Sequence, residues 1–212
     1  MAFGLEAQQP GMKPLFDGKT LKGWKVRSGF ASYQVVDGAI VGTTAEGSGN
    51  TFLCTLKEYG DFVLEFEVKF DPELNSGVQF RSHAYEKETT LVDSDGNKHK
   101  FPADRVFGYQ FEIATTGSGG VYDEARRAVF IGGPDKVAAP IKTNEWNKCR
   151  IIAQGDHIIT FVNETMIADF HDAADSKGFF GLQVHQIGKG QGPFSVRWRN
   201  INIRELKPGE KL

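Results

Sequence analysis

The sequence has 212 residues, a length that suits one large all-β domain or two small ones. Its 25 basic and 27 acidic side chains give a formal net charge of -2, and because no basic run stands out, a nucleic acid is not expected as a partner. No apolar stretch approaches the roughly 20 residues that span a bilayer, so no membrane span is expected. The 25 glycines and 17 phenylalanines favour pleated strands joined by tight turns.

The N-terminus is predicted to lie outside the folded domain. Residues 1–12 lack the basic start and the long apolar core of an intact signal peptide, but "FGLEAQQ" resembles the end of a cleaved one. Residues 13–208 contain no repeat of fixed period, no low-complexity tract and no linker. They are therefore predicted to form a single domain.

Strand signals begin early in this domain. "YQVVDGAIVG" places Asp37-Gly38 between two apolar runs, and this residue pair is typical of a type I′ hairpin turn. "DFVLEFEVKFD" alternates apolar and charged residues, as a half-buried strand does. Further along, Gly155-Asp156 and Asn163-Glu164 mark the turns of a meander. Roughly a dozen such strands, with no helix longer than a turn or two, predict an all-β fold of two packed antiparallel sheets.

Three of the predicted strands carry the same polar phrase. It reads "GVQFR" at 77–81, "GYQFE" at 108–112 and "GLQVH" at 181–185. A strand alternates its side chains with period two, so the glutamine and the ionisable residue of each phrase share a face. In one sheet, six side chains would line one concave surface: Gln79, Arg81, Gln110, Glu112, Gln183 and His185. These groups match the donors and acceptors of a sugar, whereas a merely solvated face favours Lys, Glu and Thr.

A glycine-rich segment, "GGVYDEARR", is the second candidate for a functional region. Glycine-rich loops on rigid scaffolds often carry function, so Tyr122, Asp123, Glu124 and Arg126 are expected in the site. The alternative is a charged surface loop with internal ion pairs. For Arg127 that alternative is preferred.

The remaining histidines and cysteines show no ligand-like spacing. Three histidines are expected at the surface or in turns: His99, His157 and His171. His83 extends the face of Gln79 and Arg81 and is a further candidate. "DSDGN", at 93–97, resembles a calcium loop, but its glycine comes too early for an EF-hand and a hairpin turn is expected. Cys54 and Cys149 lie in strand-like runs and are expected to be buried thiols, although their spacing does not decide whether they pair in a disulfide.

Several motifs, in this order, resemble a bacterial family, the 3-keto-disaccharide hydrolase domains. They are "NSGVQFR", "GYQFEI", "GGVYDEARR", "EWNKCRIIAQGDHIITFVNETMIADF" and "KGFFGLQVHQIG" followed by "VRWRNINIREL". The resemblance covers nearly the whole chain. It implies a concanavalin-like jelly-roll sandwich, activity on glycosides oxidised to a ketone at carbon 3, and a periplasmic or secreted location. The chain departs from many relatives at Gln110 and Glu112, where they carry glutamate and then glutamine, and at Asn163-Glu164, where they carry "NG".

The implied reaction is an elimination. A ketone at carbon 3 acidifies the proton at carbon 2, a base removes this proton, the group at carbon 1 leaves, and water adds back. His185 fits the base, Arg81 the cation that stabilises the enolate, and Glu112 or Tyr122 the acid. Substrate-binding roles are expected for Gln79, Gln110, Gln183, Asp123, Glu124, Arg126 and Trp198. No cofactor is certain, although a divalent metal ion held by Glu112, Asp123 or His185 is an alternative means of polarising the ketone.

Two other functions stay open. A conventional glycosidase needs two carboxylates about 5 to 10 Å apart, which Glu112 could form with Asp123 or Glu124. A non-catalytic carbohydrate-binding module needs exposed aromatic rings, for which Trp198 and Tyr122 are the candidates. The number of ionisable groups on the proposed face favours an enzyme with a small carbohydrate substrate. The sequence does not indicate the sugar linkage, the aglycone or the oligomeric state.

Overall fold

The computed structural model describes residues 11–93, 95–133, 140–207 and 210. Within these ranges the chain forms strands and no helix, and so contains no helix with the length and hydrophobicity that a membrane span requires. The predicted N-terminal segment lies outside the described residues up to residue 10, as does the predicted domain end at residue 208. The strands are, in chain order, β1 (Lys13–Pro14), β2 (Trp24–Arg27), β3 (Ser32–Val36), β4 (Ala39–Thr43), β5 (Thr51–Thr55), β6 (Phe62–Phe70), β7 (Ser76–Ala84), β8 (Thr89–Val92), β9 (Lys98–Phe101), β10 (Val106–Ile113), β11 (Val121–Glu124), β12 (Phe130–Gly132), β13 (Asn147–Gln154), β14 (His157–Val162), β15 (Thr165–His171), β16 (Phe179–Val184) and β17 (Ser195–Glu205).

The described strands form two large antiparallel sheets. The eight-stranded sheet has the order β15-β14-β13-β6-β17-β4-β3, with β1 paired to β17. The seven-stranded sheet has the order β12-β11-β10-β7-β16-β5-β2, and β8 and β9 form a separate hairpin. The chain is thus an all-β jelly-roll sandwich, which confirms the predicted fold class.

The core lies between the two sheets and is rich in aromatic rings. Phe66 of β6 meets Phe111 of β10 edge-on, with ring centroids 5.6 Å apart, and Phe62 meets Phe180 of β16 at 4.7 Å. These four rings are buried, and edge-to-face contacts of this kind add to the hydrophobic stabilisation of a core. The alternation predicted for β6 therefore directs its phenylalanines to the facing sheet.

The predicted turns have the backbone that their residues favour. Asp37 and Gly38 join β3 to β4 with φ of 49° and 76°. Asn163 and Glu164 join β14 to β15 with φ of 46° and 70°. Positive φ at both central residues is the type I′ geometry, which matches the twist of the flanking strands.

A β-bulge interrupts the pairing of β7 with β10. Two residues of β7, Arg81 and Ser82, stand opposite the single residue Gly108 of β10. Arg81 has a φ of 46° and Gly108 a φ of 120°, so both leave the ordinary strand conformation. A bulge bends the strand and shifts the phase of its alternation by one residue.

The chain that enters β10 covers part of the sheet's outer face, meaning the face of the seven-stranded sheet directed away from the core. Val106 packs against Phe52 and Cys54. Leu53, which lies between these two residues on β5, belongs to the core, so Phe52 and Cys54 face outward. The guanidinium of Arg105 lies over the ring of Phe52, 5.5 Å from its centroid. Part of the outer face is therefore shielded from solvent, although it lies outside the sandwich interior.

Candidate functional site

The three repeated phrases occupy neighbouring strands, since β7 lies between β10 and β16. Gln79 stands opposite Gln110, and two residues earlier in β7, Gly77 stands between Glu112 and Gln183. Cross-strand partners of an antiparallel pair point to the same face of a sheet. The three glutamines and Glu112 therefore share the outer face.

The glycines of the phrases explain how the glutamines fit. A Cβ atom on Gly77 would lie 2.6 Å from Cδ of Gln110, which is closer than real Cβ atoms come. A Cβ atom on Gly181 would lie 3.1 Å from Sγ of Cys54 and 3.3 Å from Cβ of Gln79. Each glycine thus makes room for a glutamine of the next strand, which lies flat across the sheet.

A chain of hydrogen bonds leads along this face to Glu112. Ser82 Oγ donates to Gln79 Oε1 at 2.6 Å, and Gln79 Nε2 donates to Gln110 Oε1 at 2.8 Å. Gln110 Nε2 donates to Glu112 Oε2 at 2.9 Å, and Asn75 Nδ2 donates to the other carboxyl oxygen. Gln79 and Gln110 are 0% and 2% exposed, so they position Glu112 and do not present free amides to a substrate. The sequence had predicted that both amides bind the substrate.

Burial sets the proton affinity of Glu112, which is 7% exposed. Burial, together with repulsion from Glu124, raises the pKa of Glu112 to about 6, although the hydrogen bonds from Gln110 and Asn75 act in the opposite direction. Tyr122 stands opposite Gln110, and burial, followed by the charges of Glu124 and Glu112, raises the pKa of its phenol. Near neutral pH this face therefore combines a carboxyl group that exchanges its proton with a phenol that keeps its own.

The raised pKa predicts how pH affects stability. Because the pKa of Glu112 in the folded chain, about 6, exceeds its ordinary value of 4.5, the folded chain binds the proton more tightly than the unfolded chain. This stabilisation is complete below about pH 4.5 and is lost, by about 2 kcal/mol, as the pH rises through 6. We expect Glu112→Gln to gain about that much unfolding free energy relative to the parent between about pH 4 and pH 7.5. Urea unfolding of both proteins at the two pH values measures this difference in unfolding free energy. If the unfolding free energies of the parent and of Glu112→Gln change equally with pH, the pKa of Glu112 is not raised in the folded chain.

Glu124 joins two distant parts of the outer face. Its carboxylate accepts hydrogen bonds from Arg105 Nη2 and from Asn50 Nδ2, the latter at 3.2 Å. Asn50 Oδ1 in turn accepts the backbone N–H of Gln186 at 3.0 Å. The segment that follows β16 is therefore tied, through Asn50, to β11.

His185 lies in that segment, one residue beyond the end of β16, and is half-buried. Its Nδ1 atom is 2.7 Å from the carbonyl oxygen of Gln186. A carbonyl oxygen only accepts, so Nδ1 carries the hydrogen, and Nε2 of the neutral ring holds the lone pair. This tautomer leaves Nε2 able to accept a proton.

Gln183 differs from the other two glutamines of the phrase. Its side chain is fully buried, and neither Oε1 nor Nε2 has a hydrogen-bond partner among the described residues. It stands between Gly77 on β7 and Phe52 on β5. A buried amide without partners is energetically costly, and it is the unusual group of this face.

The Arg81 side chain leaves the outer face, contrary to the prediction. Nε donates to the carbonyl of Gly60 at 2.8 Å, Nη1 to the carbonyl of Gly155 at 2.6 Å, and Nη2 pairs with Asp61 at 2.8 Å. Gly155 belongs to the turn between β13 and β14, so Arg81 connects the two sheets. The bulge explains the difference, because its extra residue breaks the period-two rule on which the prediction depended. Arg81 is therefore wrongly assigned as the cation that stabilises an enolate on this face.

Asp123 and Arg126 also lie away from the outer face. Asp123 stands opposite Tyr109 of the core face, whereas the next residue on each side, Tyr122 and Glu124, faces outward. The Asp123 carboxylate is fully buried and pairs with Arg126 at 3.0 Å and with Arg127. The internal ion pairs expected for Arg127 are thus present, and they include Asp123, which was predicted to be in the site.

These groups form what we call the edge cluster: Asp61, Arg81, His83, Asp123, Arg126 and Asp175. His83 Nε2 lies 3.3 Å from Asp175 Oδ1, and this hydrogen bond raises the pKa of His83. Arg126 lies 2.8 Å from the other oxygen of Asp175. His83 therefore extends the edge cluster and not the face of Gln79.

Trp198 belongs to the core and is wrongly assigned to substrate binding. It is 0% exposed on β17 and stacks on Tyr33 at 6.5 Å. Its neighbours Arg197 and Arg199 are partly exposed, so the strand alternates with Trp198 inward. Of the two aromatic residues predicted to stack on a sugar, only Tyr122 faces outward.

The metal alternative also changes. Glu112 and Asp123, two of the alternative metal ligands predicted from the sequence, lie on opposite faces of the seven-stranded sheet and do not share one site. Across residues 11–93, 95–133, 140–207 and 210, no group of three or more His, Cys, Asp or Glu side chains is arranged to hold a metal ion.

The other histidines and the cysteines have structural positions. His157 and His171 are strand residues rather than turn residues, and their rings stack 4.6 Å apart. β8 and β9 pair antiparallel on either side of the hairpin turn expected at 93–97, and Asp93 Oδ1 accepts the N–H of Asn97 at 2.8 Å. Cys54 and Cys149 are both free and buried.

Three residues of this face were missed from the sequence: Asn50, Asn75 and Arg105. The position of Asn75 could be predicted, because residues 75, 77 and 79 alternate with period two and therefore share one face of the strand. The position of Arg105 could not be predicted, since it reaches the face only through the chain that crosses Phe52. Asn50 precedes β5 and is joined to β11 by a contact that sequence spacing does not encode.

Comparisons with known proteins agree with this architecture. A protein of Parabacteroides distasonis described as a candidate glycosyl hydrolase is 18% identical, with a TM-score of 0.61 over 93% of this chain and 94% of that one. A second such protein from that organism is 24% identical, with a TM-score of 0.55 over 92% of this chain and 99% of that one. A carbohydrate binding module of Bacillus subtilis is 17% identical, with a TM-score of 0.59 over 86% of this chain and 96% of that one.

These similarities establish the fold alone, and no curated protein matches the sequence. The family assignment comes from the sequence profile of the 3-keto-alpha-glucoside-1,2-lyase-like domain, which matches residues 11–204. The match covers nearly all of the chain and agrees with the family that its motifs resemble. The chain therefore belongs to the 3-keto-alpha-glucoside-1,2-lyase-like domains, a carbohydrate-active family.

Proposed function

We propose that the chain cleaves 3-keto glucosides by elimination across carbons 1 and 2 of the sugar, at the outer face. The observation that carries the proposal is the buried carboxyl group of Glu112, held by Gln110 and Asn75 and with a pKa of about 6. Groups whose pKa is shifted towards neutrality are typical of acid–base catalysts. The family description supports the bond and the substrate class.

The proposed step needs a base, a cation and an acid. His185 takes the proton from carbon 2 at Nε2, the C1–C2 double bond forms, and the bond from carbon 1 to the leaving oxygen breaks. Glu112 or Tyr122 gives the leaving oxygen its proton. Arg105 replaces Arg81 as the guanidinium on this face and stabilises the charge of the enolate at the ketone oxygen. Addition of water to the double bond then gives net hydrolysis.

A conventional glycosidase is a second candidate, supported by a specific observation. Glu112 and Glu124 are close enough for their charges to interact, and Glu124 is paired with Arg105. Two carboxyl groups in different environments are the arrangement of an acid with a nucleophile or base. Asp123 no longer qualifies as the second carboxylate because it faces the other way.

One assay separates the candidates. The protein is incubated with p-nitrophenyl glucoside and with its 3-keto form, with and without a chelator, and nitrophenol release is followed in deuterated water. Elimination predicts cleavage of the 3-keto form alone, with deuterium incorporated at carbon 2. Cleavage of the plain glucoside without this exchange would support the two carboxylates. Binding without cleavage of either compound would support a carbohydrate-binding module.

Export to the periplasm or the cell exterior stays a prediction from the family resemblance.

A further inference from the structure

We propose that the amide of Gln183 binds the sugar directly, with Nε2 donating to the oxygen on carbon 3 and Oε1 accepting from a neighbouring hydroxyl. This inference rests on the proposed function, because it takes a keto sugar as the ligand. It assigns Gln183 a role that Gln79 and Gln110 do not share, although all three come from the same repeated phrase.

The contrast between the three amides carries the argument. Gln79 and Gln110 have side-chain partners for both their oxygen and their donor nitrogen within the hydrogen-bonded chain to Glu112. Gln183 is equally buried, yet within the described part of the chain both of its polar atoms lack partners. Buried amides are nearly always hydrogen-bonded, so Gln183 needs a partner that the described residues do not supply.

The neighbours of Gln183 place that partner in the outer-face site. Glu112 stands across Gly77 on one side, and Phe52, covered by the Arg105 guanidinium, stands on the other. A primary amide offers one acceptor and one donor edge side by side. An α-hydroxy ketone presents the complementary pair, a carbonyl oxygen beside a hydroxyl group. Because Gln183 is fully buried, a ligand reaches it only when adjacent side chains move.

Thermal unfolding of two matched variants tests whether the amide is free. Gln183→Met keeps the length of the side chain and removes both polar groups, and Gln79→Met makes the same change at an amide that has partners. We expect Gln183→Met to raise the melting temperature by about 2 °C or more and Gln79→Met to lower it. If both variants melt lower by similar amounts, a structural water satisfies Gln183 and the proposal is wrong.

Calorimetric titration then tests the ligand contact. In a Glu112→Gln background, methyl 3-keto-α-glucoside should bind roughly 10- to 100-fold more weakly after Gln183→Met. The 3-deoxy glucoside, which has no oxygen at carbon 3, should lose less affinity, because the change then removes only the contact between Oε1 and the neighbouring hydroxyl. This double cycle isolates the contact between the amide and that oxygen.

The outcomes also separate this inference from the proposed function. If the Glu112→Gln protein binds the keto sugar equally well with and without Gln183→Met, the role of Gln183 is overturned, but the proposed reaction is not affected. If the unmutated protein binds the keto sugar through Gln183 but never cleaves it, the reaction is wrong and the contact stands. No binding of the keto sugar by either protein overturns the contact.

Discussion

Replacing Glu112 by glutamine should slow the cleavage of a 3-keto glucoside by roughly 10²- to 10⁴-fold, the usual contribution of one general acid or base. Glutamine has the same shape and still accepts a hydrogen bond from Gln110 or Asn75, but it cannot exchange a proton. The loss should appear in kcat, because binding of the sugar does not depend on proton transfer.

The pH profile tells the role of Glu112. If the carboxyl group acts as the acid, its protonated form is active, and kcat/KM should fall as the pH rises through about 6. The kcat/KM of Glu112→Gln should not show this fall near pH 6. Glu65→Gln is a matched control, because Glu65 pairs with Arg150 on the other sheet and should leave the rate unchanged. Cleavage by a folded Glu112→Gln protein at the parent rate would remove Glu112 from the mechanism.

Much of the fold could be predicted from local chemistry. The turn at Asp37-Gly38 follows from two residues that tolerate positive φ, and the inward face of β6 follows from its alternation. The outer-face position of Gln79 and Gln110 follows from the same rule, because both lie on the side of the bulge where β7 and β10 keep a regular register. Period two is reliable wherever a strand keeps its register.

The errors have identifiable physical causes. Arg81 sits in the bulge, and an extra residue against Gly108 cannot be read from a run of apolar and polar letters. The glycines before Asp123 favour a loop, whereas the segment forms strand β11, in which neighbouring side chains face opposite ways. The inward position of Trp198 agrees with the alternation of Val196 and Trp198 with arginines along β17, so this position could be predicted from the sequence.

Replacing His185 by alanine should reduce the elimination rate by roughly 10²- to 10⁴-fold, because it removes the proposed base. Histidine accepts and returns a proton near neutral pH, and the hydrogen bond from Nδ1 to Gln186 leaves Nε2 free for this purpose. His157→Ala is the matched control. His157 stacks on His171 in the eight-stranded sheet, so its loss should leave the rate unchanged.

Exchange at carbon 2 distinguishes a lost base from a disturbed site. During turnover in deuterated water the parent should incorporate deuterium at carbon 2, and His185→Ala should lose exchange and aglycone release together, since both follow proton removal. If the variant stays folded, exchanges at the parent rate and releases the aglycone slowly, His185 acts after proton removal, and the base is Glu112 or Glu124. If exchange never occurs, even in the parent, no proton leaves carbon 2. A conventional glycosidase mechanism, with Glu112 and Glu124 as its two carboxylates, then becomes the better explanation of the activity.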